Sequence, residues 1–353
     1  MDFTNTLTLL AAIEQVPMEA TFLRDRYFPT NASTDIFATD EVLVEYKDGD
    51  KKLAPFVTPR KNGVNVFREG YEIHAFAPAN IAPKRALYLD ELKKKGFGEA
   101  LFSDLTPEQR QVALIMKDYQ DMDLMISRRE EAMAAELLQT NALVMKHIAD
   151  KGDEYEDKEI KYYQGDSNPA VYTAKKSWSD TSADIYGDLG AIIRMLTSKG
   201  LPATDVILGS EVVAALMNNA QIQKFLDNRR FELGGVQQSE LPDGAAQIGT
   251  LVVNGHPMTF FGYDNTYTDD SGKDTPYIAA DEIVVTAPAC GRTAYGAVTQ
   301  VEQSDGEFHT YAGARVPHYV ASAEGNSRAI TVTSKPLMMP NHKNAFIASK
   351  VLF

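Results

Sequence analysis

From Pro107 to Gly152 the chain runs 44 residues without an intervening glycine or proline, with apolar positions at Val112, Met116, Tyr119, Met122, Ile126, Met133 and Leu137. Spacings of three, four and seven keep these side chains on one stripe of a helix with 3.6 residues per turn. Thr106 suits the cap, Pro107 the first helical position, and Gln109 completes a capping box with Thr106. The pattern therefore predicts a helix from Thr106 to about Met145, roughly 60 Å long at 1.5 Å per residue. A round globule of this chain length is only about 50 Å across. An elongated subunit, built to be assembled, is the expectation.

Other stretches follow different periods. Residues 6–16 read as a short amphipathic helix ended before Pro17, and the Phe22–Pro29 segment alternates bulky and charged residues in the manner of a docking arm. From Asp35 to Leu89 the pattern changes to strands and turns. Glu41–Lys47 is strand-like, Asp48-Gly49 signals a hairpin with Lys51–Thr58 returning, and Asn62-Gly63 signals a second hairpin before Val64, Val66 and Phe67. Few large aliphatic residues accompany these strands, so they predict a protruding hairpin that needs a partner's cover. Beyond the exposed Asp153–Asp157 run, helices are predicted over Ser182–Ser198, with Ile185, Leu189, Ile192, Ile193 and Leu196 on one side, and over Glu211–Asn218. Gln221–Arg230 extends or follows the latter helix. Between the two helices Asp205–Leu208 reads as a short buried strand. Strands are further predicted at Thr250–Val253, Met258–Phe261, Glu282–Thr286, Gln300–Glu302, Arg328–Met339 and Ala345–Phe353. The order predicts an α+β protein, and 353 residues predict more than one sub-domain.

Composition narrows the function. A net charge of −14 argues against affinity for nucleic-acid phosphates, and an acidic surface facing DNA would repel it. The single Cys290 leaves no disulfide framework and no cysteine zinc site. The N-terminus lacks the basic region of a signal peptide, and no window reaches 18 apolar residues, so neither export nor a membrane partner is expected.

Catalytic patterns are not evident either. Leu208-Gly209-Ser210-Glu211-Val212 lacks the flanking glycines of a nucleophile elbow, and Ser210 reads as a helix cap. Gly96-Phe97-Gly98 is followed by Leu101 where a dinucleotide fingerprint needs glycine. His74, His147, His256, His309, His318 and His342 are too dispersed to suggest metal ligands, and the acidic Asp264–Asp274 loop departs from the calcium-loop pattern. No catalytic, cofactor or metal residue is assigned. Lys93-Lys94-Lys95 reads as a solvated linker.

Several segments carry a family likeness. Leu9-Leu-Ala-Ala-Ile-Glu-Gln15 with Phe22-Leu-Arg24, then Gly291-Arg-Thr-Ala-Tyr-Gly296, Ala314-Arg-Val-Pro317, Arg328-Ala-Ile-Thr331 and Ser334-Lys-Pro-Leu-Met338 resemble, in order and spacing, the lambda-like tailed-bacteriophage major capsid proteins, the major capsid protein E family. The resemblance implies a Hong Kong 97-type capsid fold: an N-terminal arm (1–34), an extended hairpin loop (35–90), a peripheral domain with a spine helix (91–150), an axial domain (151–313) and C-terminal strands returning to the peripheral domain (314–353). It implies a head protein that self-assembles, as pentamers and hexamers, into an icosahedral shell enclosing double-stranded DNA without sequence-specific binding. A separate scaffolding protein, a portal and a decoration protein are the partners implied, with assembly in the host bacterial cytoplasm. Arg60, Lys61, Asn62, Gly63, Phe67 and Arg68 on the hairpin, with Phe22 and Arg24 on the arm, are the candidate assembly contacts. A non-viral nanocompartment shell of the same fold, or an α+β enzyme with an unrecognised site, are the alternatives.

Overall fold

A computed structural model describes residues 21–46, 72–88, 107–148, 155–227, 231–233, 244–269, 271–303, 305–322 and 327–353. Its longest element is the helix Pro107–Thr140, 34 residues and so about 51 Å. The helix stops five residues short of the expected Met145. Asn141 takes a left-handed backbone (φ 56°) and donates its N–H to the Leu137 carbonyl at 2.9 Å. Asparagine tolerates this conformation almost as glycine does, so it ends a helix in a run that contains neither glycine nor proline. Beyond it the period falls to two: Leu143 and Met145 are buried, Val144 is exposed, and Ala142–Ile148 pairs antiparallel with Tyr155–Lys161.

The helix buries one face along its length. Ile115, Tyr119, Met122 and Ile126 pack on Tyr319, Ile330 and Val332 of a three-stranded sheet formed by Val316–Ser322, Ser327–Thr333 and Lys84–Tyr88. Farther along, Met133, Ala134, Leu137 and Leu138 join a larger core with Met338, Met339 and the short helix Phe22–Tyr27. The apolar stripe thus meets strands from the Arg328–Phe353 region, as the family resemblance implied.

Val42–Tyr46 pairs antiparallel with Glu72–Phe76, in register from Val42 opposite Phe76 to Tyr46 opposite Glu72. Among the described residues its partner is Glu72–Phe76; the expected return strand Lys51–Thr58 lies outside them, as do both Asp48-Gly49 and Asn62-Gly63. The apolar pair at the base decides the register. Val42 enters the core, and Phe76 packs on it with its ring 6.4 Å from that of Tyr162.

A six-stranded sheet organises the rest, in the order Ile347–Lys350, Glu282–Thr286, Asp205–Leu208, His256–Tyr263, Ala245–Val253, Phe231–Leu233. Only the Asp205–Leu208 and His256–Tyr263 pair is parallel. The sheet is covered on both faces. Ile207, Phe261, Val284 and Ala348 enter the core that holds the long helix. Val206, Leu208, Phe260, Ile283, Val285 and Ile347 face a second core with the helix Ile185–Ser198. Burial on both sides is why Val206–Leu208 reads as an unbroken apolar run. The helix Ile185–Ser198 buries Ile185, Leu189, Ile192, Ile193 and Leu196, the side picked out by spacing, and Asp184 caps it by accepting from the Gly187 N–H at 3.0 Å.

Ser210 is the first residue of the helix Ser210–Asn218 rather than its cap; the cap position belongs to Gly209. A Cβ on Gly209 would sit 2.1 Å from the Ala279 carbonyl oxygen, so only glycine fits there. A further helix, Ala220–Asp227, follows. Two-stranded pairs complete the molecule: Gly291–Tyr295 with Pro336–Pro340, Val298–Val301 with Phe308–Tyr311, and Thr266–Thr268 with Asp274–Pro276.

Candidate assembly site

The described segments singled out by family likeness converge on the long helix, while Leu9–Gln15 lies outside the described residues. Gly291–Tyr295 and Pro336–Pro340 are neighbouring strands, Ser327–Thr333 covers the first half of the helix, and Phe22–Tyr27 lies on the second half. Phe22 is 2% and Arg24 5% exposed. Phe22 packs 5.4 Å from both Phe261 and Tyr263, and Arg24 turns its guanidinium inward to Glu130 at 2.8 Å. Both arm residues are thus engaged within their own chain. The arm docks here because its bulky residues and its charged residues each find a partner: Arg26 pairs with Asp205 at 2.7 Å and lies 4.7 Å from the Phe261 ring centre. Arg60, Lys61, Asn62, Gly63, Phe67 and Arg68 lie outside the described residues.

At the centre of this junction is a buried ionic network. Arg315 grips Glu130 with two nitrogens, at 2.7 and 2.9 Å, and reaches Asp123 at 2.7 Å. It also donates to the Ala314 carbonyl at 3.1 Å and to the hydroxyls of Ser334 and Ser127, at 3.2 and 3.4 Å. Arg24 and the Tyr295 hydroxyl complete the shell around Glu130. Next along the helix, Glu131 accepts the backbone N–H groups of Leu23 and Arg24 at 2.7 and 2.9 Å and the Tyr263 hydroxyl at 2.8 Å. Asp123–Glu131, about two turns of helix, therefore ties down the arm, the six-stranded sheet and the C-terminal strands.

Burial alone would raise the Glu130 carboxyl, but the two arginines outweigh it and hold the group below the usual carboxylate range. Glu131 lacks a facing guanidinium. Burial prevails, only partly offset by the Arg24 and Leu23 amides and Tyr263, and its pKa is raised. Burial likewise pushes Tyr295 up, reinforced by Glu130. Cys290, beneath Tyr27, has its thiol pushed up to about 12 by burial, which makes it an inert packing group.

Arg24, Tyr295, Arg315 and Ser334 fall within the family-like segments, whereas Asp123, Ser127, Glu130 and Glu131 were not singled out from the sequence. A signal was present: Asp123, Ser127 and Glu130 recur at spacings of four and three, in phase with Ile126 and Met133. Charges that share phase with an apolar stripe are buried with it and require partners. The partner, Arg315, lies 185 residues from Glu130.

Other titratable groups are local. Asp305 holds His309 at 2.8 Å on an exposed turn with Glu307, the one grouping of three potential metal ligands among the described residues. Asp269 closes its own turn by accepting from Ser271 and Lys273, so the acidic loop there uses a carboxylate as a backbone clamp. No helix among the described residues is long and apolar enough to cross a membrane.

Arm, long helix, doubly covered sheet and strand-rich C-terminal half form one arrangement, and a family description, phage major capsid protein E, matches it over residues 5–351. The chain belongs to the phage major capsid protein E family. It is 23% identical over 365 residues to the P21 prophage-derived major head protein of Escherichia coli O6:H1 (strain CFT073), covering 99% of this chain and 100% of that one. The major capsid protein of Enterobacteria phage P21 matches to the same extent. In structure, the chain resembles a prophage capsid protein from E. coli CFT073 with a TM-score of 0.68 at 17% identity, over 98% of this chain and 99% of the other. A phage-related protein from Bordetella bronchiseptica RB50 gives a TM-score of 0.52 at 8% identity, over 97% and 96%. The fold is that of Hong Kong 97-type capsid proteins. Like other members of the major capsid protein E family, this chain is a structural component of the virion that associates with its own kind.

Proposed function

We propose that this capsid protein forms pentamers and hexamers that close into an icosahedral shell around double-stranded DNA, in the host bacterial cytoplasm. Agreement with the family over residues 5–351, with no large segment left over, is the observation that carries this reading. In it, residues 1–34 are the arm, 35–90 the extended loop, 91–150 the spine region, 151–313 the axial domain and 314–353 the returning strands. The loop residues Arg60, Lys61, Asn62, Gly63, Phe67 and Arg68 lie over a neighbouring subunit. A stem whose base is held by Val42 and Phe76 favours that role, because a hairpin with few large aliphatic residues gains stability when a neighbour covers it. The net charge of −14 suits an inner wall that leaves packaged DNA mobile. A structural and not catalytic role agrees with a network whose charged groups are closed off against one another. Scaffolding, portal and decoration proteins belong to the same reading.

Negative-stain electron microscopy and native mass measurement, after co-expression with the neighbouring phage head genes, test it. Closed particles are expected. A chain that stays a 38.9 kDa monomer at every salt and protein concentration, with those proteins present, overturns the reading.

A further inference from the structure

Two surface features of the chain are complementary in shape and charge. The first is the turn joining Val298–Val301 to Phe308–Tyr311. Phe308 is 78% exposed and stands opposite Val301, itself 43% exposed, with the carboxylates of Asp305 and Glu307 beside it. The described residues of the turn are tied to their neighbours by hydrogen bonds. Glu302 and Glu307 are joined by a backbone hydrogen bond of 2.9 Å, Gln303 brackets the backbone of Ala321 from both sides, and the His318 ring contacts the Val301 carbonyl at 2.9 Å. A large apolar side chain fixed in water on an acidic, ordered turn is a preformed knob.

The second feature lies on the outer side of the long helix, along Met125, Arg128, Arg129 and Ala132. Met125 is 53% exposed, one turn from the two exposed arginines. Arg129 lines one cleft, of about 300 Å³, with Ala132, Met133, Val144, Tyr267 and Pro336. Arg128 lines a second, of about 290 Å³, and Tyr267 walls both. Both clefts have mixed linings, with Glu136 in the first and Glu131, Asn265, Thr266 and Thr268 in the second; their apolar and aromatic walls lie beside the exposed Arg129 and Arg128, where the turn offers an aromatic tip beside carboxylates.

We propose that the Asp305–Phe308 turn of one subunit docks on this face of the long helix in a second copy, Phe308 entering a cleft beside Tyr267 and Glu307 facing Arg128. The proposal rests on the shell reading above and adds one specific contact to it. Knob and cleft lie at different places on the chain, so the contact can repeat head-to-tail from copy to copy, an arrangement that forms a ring where the rotation between copies closes. Charge complementarity selects the partner, since a net −14 chain repels its copies except where exposed basic residues gather.

A charge-reversal cycle on the full-length protein, co-expressed with the phage head genes, tests it by particle yield. Glu307→Arg, Arg128→Glu and Phe308→Ser each change an exposed side chain, and melting curves check that each monomer folds. Each single variant is expected to lower particle yield at least tenfold, and Glu307→Arg with Arg128→Glu together to return it to within about twofold of wild type. Wild-type yield from any one of the three single variants, or no recovery in the double variant, overturns the contact. If Arg128→Glu alone blocks assembly, the cleft receives another segment of the neighbour and the proposal also fails. Wild type in the same experiment reports on the shell reading separately.

Discussion

Glu130 and Glu131 are consecutive residues on one helix, both buried, and their surroundings drive them in opposite directions. Arg315 and Arg24 hold Glu130 ionised despite its burial, so its contribution to stability is present above the ordinary glutamate pKa of about 4.3 and is lost as pH falls through its lowered value. Glu131 is raised by burial, so its contribution runs the other way: it is present below about pH 4.3 and is lost as pH rises through the raised value. Glutamine at either position removes the titration while keeping the shape. Urea denaturation at several pH values between about 3 and 7 should show Glu130→Gln becoming progressively worse than wild type as pH rises. Glu131→Gln should instead gain on wild type over the same range. Slopes of the same sign would mean that the two carboxyls do not occupy the distinct environments described. The Glu130 network is also costly to break. Arg315 offsets two buried carboxylates, and removing one partner of such a set leaves a charge without compensation, worth about 3–5 kcal/mol in comparable cases.

At the scale of elements, the long helix is held by its stripe. Ile126 is fully buried between the helix and the sheet that carries Ile330 and Val332. Ile126→Asp should prevent soluble folding, because an unpaired carboxylate in that seam costs several kcal/mol. Soluble protein with a wild-type circular-dichroism melt would place the stripe in water. Periodicity made this element and its buried face legible, because one-sided burial imposes 3.6-residue spacing directly on the sequence, while its partner strands came from the family resemblance. The same logic recovered the Ile185–Ser198 face and the doubly buried Asp205–Leu208. It failed where a single residue changed the rule. Asn141 ends the helix by adopting a left-handed backbone, and asparagine carries that option without advertising it. Long-range pairing was equally hidden: nothing local to Val42–Tyr46 specifies Glu72–Phe76 over a nearer segment, and nothing near Glu130 specifies Arg315. Phe22 and Arg24 were visible as an arm but not as an arm folded back on its own helix, because alternating bulky and charged residues fit either outcome.

For the whole molecule, the decisive question is which parts serve folding and which serve assembly. The arm, long helix and C-terminal strands share one buried network, and the six-stranded sheet lies between two cores, so these parts depend on each other within one chain. The hairpin differs. Its stem is secured at the base by Val42 and Phe76, while every candidate contact from Arg60 to Arg68 falls between the paired strands. If that interval serves assembly alone, replacing residues 47–71 with a two-residue Asn-Gly turn should preserve the stem register and the fold, since such turns match the twist of antiparallel strands. Lost loop-closure entropy should make the shortened chain slightly more stable, by about 1–2 kcal/mol. Particle formation should fall below detection by electron microscopy in the same preparation. A shortened chain that fails to fold would place the interval in the core of the subunit. One that folds and still forms closed particles would move the intersubunit contact elsewhere, leaving the turn at Phe308 and the basic face of the long helix to hold neighbours together.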